Sequence, residues 1–140
     1  MARIEIHKDR IVIQLSASEK LAAFRTRDVV LDRSRISQAI ITDDPWIFAR
    51  GVYTRGTHIP GRSASGVWRH LGGRDFLLVR RGRESLVLDI HPPSKQSAAR
   101  ADTGQMFSEF ARVVVGTQHA AEIIATLNLS GGDAETTRQF

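Results

Sequence analysis

Ile4 and Ile6 alternate with Arg3, Glu5 and His7, and beyond Lys8-Asp9 the alternation resumes with Ile11, Ile13 and Leu15 against Val12 and Gln14. Two period-2 runs across a polar break predict a β-hairpin with one buried face. The break has neither Gly nor Asn, so a turn longer than two residues, or a bulged one, is expected. Ser16-Ala17-Ser18-Glu19 follows with the spacing of a capping box. Leu21 and Phe24, three apart, extend it to a short helix over 18–25, which must lie on a sheet because so short a helix is marginal in water.

Val29-Val30-Leu31 and Ile36 to Ile41 predict two strands, or one bent strand, broken at Asp32 to Arg35 and ended by Asp43-Asp44-Pro45, since proline cannot continue a ladder. From Trp46 to Ser65 no period holds; glycines fall at 51, 56, 61 and 66, and the stretch reads as a long loop. Val67 to Leu71, Phe76 to Arg80 and Leu86 to Ile90, joined by Gly72-Gly73 and Arg81-Gly82-Arg83, predict a three-stranded antiparallel meander. His91 to Gln105 is a polar excursion. Val113 to Val115 is a last strand, beginning near Phe110, and Thr117 caps a helix running to Leu127. Ala120, Ile123, Ile124 and Leu127 fall at i, i+3, i+4 and i+7, a stripe that must cover something apolar. Residues 130–140 have no apolar period and read as a disordered tail, which leaves 1–129 as a single domain.

The expected fold is mainly β (α+β): a bent antiparallel sheet or partly open barrel of about seven strands, capped by a C-terminal helix. With Ser34-Arg35-Ile36 leading into a strand, then Asp43-Asp44-Pro45-Trp46, Arg50-Gly51 and Gly61, residues 3–128 resemble a family of small bacterial pleckstrin-homology-like proteins of unknown function. That resemblance implies the fold alone and transfers no catalytic or binding residues. The chain departs from the family's pattern at 91–108, where its polar excursion is longer.

Composition narrows the chemistry. A chain of 140 residues has no cysteine, which removes disulfides and thiolate metal sites. The longest apolar run is far short of the ~20 residues that span a bilayer, and the N-terminus alternates from its first residues, unlike a signal peptide. A cytoplasmic protein is expected.

Gly61-Arg62-Ser63-Ala64-Ser65-Gly66 has the wrong spacing for a nucleophile elbow. His7, His58, His70 and His91 are scattered without metal-ligand spacing, Asp43 and Asp44 point apart on an extended chain, and no phosphate-binding Gly-Lys-Ser/Thr exists. No enzyme, cofactor or metal is expected.

Charge supplies the positive signal. Residues 50–83 hold eight arginines against one acid, Asp75, a net +7 in a chain whose total is +5, so the remainder sums to −2. Trp46, Tyr53 and Trp68 lie among or beside them. Arg and Trp are enriched at interface hot spots, so Trp46, Arg50, Tyr53, Arg55 and Arg62 are the candidate binding residues. The expected function is a non-enzymatic interaction module for a protein or peptide, with a second copy of the chain as one such partner. The alternative is an anionic ligand, nucleic acid or a lipid headgroup. The plain alternative is that these arginines form the solvated face of a sheet, where edge charges prevent aggregation.

Overall fold

The computed structural model describes residues 2–25, 27–91, 110–128 and 138–139. The hairpin forms as expected: β1 (Arg3–Ile6) pairs antiparallel with β2 (Arg10–Gln14), closed by the His7 N–H donating to the Arg10 carbonyl. The next two elements are α1 (Ala17–Ala22) and β3 (Val29–Asp32), and β3 pairs with β2. A 3-10 turn at Arg33–Arg35 then leads into β4 (Ile36–Thr42). Arg33 pins this corner, donating to the His7 carbonyl at 2.7 Å and the Thr126 carbonyl at 3.3 Å.

Two sheets result, and neither closes into a barrel. The smaller runs β10-β1-β2-β3, where β10 is Arg138–Gln139 paired with Glu5 and Ile6. Of the tail expected to be disordered, these two residues are strand, and the others lie outside the described residues. The larger sheet runs β4-β8-β9-β7-β6-β5, with β5 Val52–Ile59, β6 Ser63–His70, β7 Gly73–Arg80, β8 Ser85–Ile90 and β9 Arg112–Gly116.

The three-stranded meander does not form. β6 and β7 are a hairpin, but β9 inserts between β7 and β8, running parallel to β7 and antiparallel to β8. Val113, Val114 and Val115 are each fully buried, and a strand buried on both faces belongs in the middle of a sheet. The glycine-bearing turn at 81–83 correctly marks a reversal without making its flanking strands neighbours. Of the polar excursion 91–105, all but His91 lies outside the described residues.

The main core fills the space between the sheets. Ile4, Ile6, Ile11, Ile13 and Leu31 meet Phe76, Leu86, Leu88, Val113 and Val115 there. The second helix, α2 (Ala120–Asn128), starts after Thr117, whose hydroxyl accepts from the His119 N–H. Its stripe covers this core as expected: Ala120 and Ile123 are buried, with Ile124 and Leu127 packed beside them.

The capping box also forms, with the Ser16 hydroxyl accepting from the Glu19 N–H and the Glu19 carboxylate from the Ser16 N–H. The helix is shorter than the expected 18–25, and Leu21 and Phe24 are not what holds it on the sheet. Leu21 and Phe24 are exposed, and Ala23 is the residue that α1 turns into the core.

The expected loop 46–65 is mostly ordered backbone. β4 and β5 are the opposite edges of the larger sheet, about 24 Å apart at ~4.8 Å per strand. Residues 43–51 cross that distance over the sheet's outer face, with a 3-10 turn at Pro45–Phe48 on the way. Trp46, Phe48 and Ala49 pack against the outer cluster of Ala64, Trp68, Leu77, Val79, Val87 and Val114. This strap gives the outer face its cover, and Trp68 belongs to that core rather than to a surface.

Candidate functional site

Arg50 lies near the end of the strap. Its guanidinium meets Asp75 through two N–H···O bonds of 2.9 Å, and His70 lies 2.9 Å from the same carboxylate. The Asp75 side chain is fully buried, and the hydrogen bond it accepts holds the Arg50 guanidinium above its ordinary pKa. At the neighbouring strands Arg112 pairs with Asp89, donates to the Phe48 carbonyl and lies 5.6 Å from the Phe48 ring centroid. Two arginines therefore tie the strap down.

The aromatic candidates are also internal. Tyr53, His58 and Trp68 stand ring to ring, with centroids 5.6 Å apart for Tyr53–His58 and 5.3 Å for His58–Trp68. Trp46 is 6.4 Å from His58. The Tyr53 hydroxyl donates to the Gly56 carbonyl. Both tryptophans help cover the outer face, so neither stands out as a free anchor.

A bulge separates Tyr53 from Arg55. Tyr53 pairs with Trp68 and Arg55 with Val67, leaving Thr54 as the extra residue. Two residues that would share a face in a regular strand then point to opposite faces. Arg55 lies with Arg25 and Arg74: burial, then the charges of Arg55 and Arg74, lower the Arg25 guanidinium below its ordinary pKa. Arg25 and Arg74 sit 5.5 and 5.8 Å from the Phe110 ring centroid.

Arg62 is at the other end of β5, in the turn to β6. The Arg81 N–H donates to the Arg62 carbonyl at 2.7 Å, which brings the turn at 81–84 alongside. The basic segment is thus three places rather than one surface. Arg50 is tied to the buried Asp75, Arg55, Arg69 and Arg74 lie toward one end of the sheet, and Arg62, Arg80, Arg81 and Arg83 lie at the other. Among the described residues none of these seven outer arginines makes an ion pair.

What the sequence did not reveal is that β5 is an edge strand. Seven of its eight residues are exposed or half-exposed, and among the described residues no strand pairs with its outer side. Val52 and Ile59 are exposed on it. The Thr57 hydroxyl donates to the Ala22 carbonyl at 2.7 Å, which seats Leu21 and Phe24 close by. Phe24 follows the C-cap of α1 with φ +56°, while the Arg25 N–H bonds the Lys20 carbonyl and the Phe24 N–H the Leu21 carbonyl. Glycine normally takes this left-handed position. The sequence signal was present in Phe24 itself, a large apolar residue just past a capped helix of two turns.

Comparison with known proteins found no matching family model, no matching curated protein and no matching solved structure. Among the described residues no helix is long and apolar enough to cross a membrane, and no three His, Asp or Glu residues gather as metal ligands would.

Proposed function

We propose that this protein is a non-enzymatic interaction module that takes an extended, acidic peptide segment of a protein partner along the outer edge of β5. The observation that carries the reading is Phe24. A bulky residue held at φ +56° costs about 1–2 kcal/mol relative to a relaxed backbone, yet Phe24 is 57% exposed. Strain kept at a surface residue, beside a strand edge that no other strand pairs among the described residues, points to a contact made only when a partner is bound. The backbone of β5 supplies the hydrogen bonds of an added strand. Leu21, Phe24 and Ile59 supply apolar contact, and Arg25 and Arg55 select for acid.

The likeness to bacterial pleckstrin-homology-like proteins belongs to the same proposal. It is supported by a C-terminal helix packed over a mainly antiparallel sheet, while the parallel β7–β9 pair departs from that pattern. A second copy of this chain, pairing β5 with β5, is the competing occupant.

The test is a titration with a heptapeptide that alternates Glu with Val, against one that alternates Lys with Val, followed by amide NMR. The reading requires shifts and slowed exchange across 52–59 with the acidic peptide, weakened by Arg55→Glu. Equal binding of the two peptides, or shifts confined elsewhere, overturns it. Dimerisation through β5 without peptide replaces the partner with a second copy.

A further inference from the structure

At the end of the larger sheet away from Arg69 and Arg74, a cavity of about 130 Å³ opens between α1 and the ends of β6 and β7. Its polar lining includes Ser16, Ser18, Glu19, Ser65, Arg80 and Arg83. The turn carrying Arg62 is bonded to the one carrying Arg81, so two further guanidinium groups belong to the same end. None of these four arginines has an acidic partner among the described residues.

We propose that this cavity binds the phosphoryl group of a phosphomonoester, independently of the peptide edge. Two guanidinium forks match the oxygens of a tetrahedral dianion, and each can donate two parallel N–H bonds. The Ser18 and Ser65 hydroxyls add donors that rotate to suit the ligand. The cavity is small, so the phosphoryl group enters alone. The remainder of the molecule stays outside, where Arg62 and Arg81 add to the positive field.

Glu19 is the one acid of the lining. Its carboxylate is held by the Ser16 N–H at 2.9 Å as part of the capping box. It opposes the bound dianion, as does the exposed Glu84 in the turn that carries Arg81 and Arg83, leaving the four arginines an excess of two positive charges. This sets affinity below what those arginines alone would give. It also makes the Glu19→Gln variant diagnostic, because glutamine keeps the capping box and removes the charge.

The probes are phenyl phosphate in solution, and vesicles of phosphatidylcholine carrying either phosphatidic acid or phosphatidylglycerol. Amide NMR reads the site, calorimetry the affinity and flotation the vesicles. Wild type should bind phenyl phosphate with shifts at Ser18, Ser65 and Arg83. The double variant R80Q/R83Q should lose about tenfold or more in affinity, Glu19→Gln should tighten binding, and Arg69→Gln at the far end should leave it within about twofold.

Flotation with phosphatidic acid but not phosphatidylglycerol identifies a lipid headgroup as the source; phenyl phosphate binding without flotation identifies a soluble ester. Four results overturn the proposal: no saturable binding of either probe, equal affinity in wild type and R80Q/R83Q, weaker binding by Glu19→Gln, or shifts at the Arg69 end. Because the peptide titration reads 52–59 and Arg55, failure at one site leaves the other standing.

Discussion

Arg50 grips Asp75 with two bonds of 2.9 Å, joining the end of the strap to a carboxylate with no exposure to water. The single acid of a segment with net charge +7 is therefore buried and paired, and one of the eight arginines is taken up by it. That pair decides which arginines are available to a partner.

Removing one side of the lock leaves the other uncompensated, and the two sides are unequal. Arg50→Met strands a buried carboxylate with His70 as its remaining partner. A buried pair broken in this way costs about 3–5 kcal/mol, reduced here to about 1–3 because the Arg50 side chain is 39% exposed. Asp75→Asn leaves an arginine that can turn to water, and should cost less than Arg50→Met. Denaturant unfolding of both variants and the double variant gives the coupling. A double variant equal to the sum of the singles would show that the contact does not hold the strap, and equal losses in the singles would show that its two sides are alike.

Gly56 faces Gly66 across β5 and β6, with φ +120° and +152°. A Cβ on Gly56 would stand 2.0 Å from the Ser65 carbonyl oxygen, and one on Gly66 would stand 1.9 Å from that of Arg55. Both obstacles are backbone, which cannot swing aside. Either glycine changed to alanine should destabilise by about 2–4 kcal/mol, combining overpacking with backbone strain. The β5 amides should lose exchange protection before those of β9. Two stable single variants with β5 protection intact would contradict this geometry.

Phe24→Gly separates folding from binding. Glycine relieves the left-handed strain, offset in part by greater freedom of the unfolded chain, for a net gain of about 0.5–1 kcal/mol. The same change removes an exposed ring from the edge of β5 and should weaken the acidic peptide. Thermal unfolding and the peptide titration together read both. Lower stability would show that the ring is a structural contact, and unchanged peptide affinity would take Phe24 out of the binding surface.

Local patterns carried much of the fold. Ile4, Ile6, Ile11 and Ile13 announce a hairpin because a half-buried strand must alternate. Ser16 and Glu19 announce a helix start because their side chains reach only the donors beside them in the chain. Ala120, Ile123, Ile124 and Leu127 announce a covering helix by their spacing alone.

Strand β5 escaped because Gly51 and Gly56, the bulge at Thr54 and an edge position with little to bury erase the period that marks a strand. The place of β9 escaped because two buried strands of valine and leucine look alike in sequence whichever neighbour they take. Charge was legible as a total, and its division among a lock, a basic edge and a basic pole was not. Whether an arginine meets Asp75, Phe110 or water depends on which turns the sheet order brings together, and that order is set by burial over the whole chain rather than by any one segment of it.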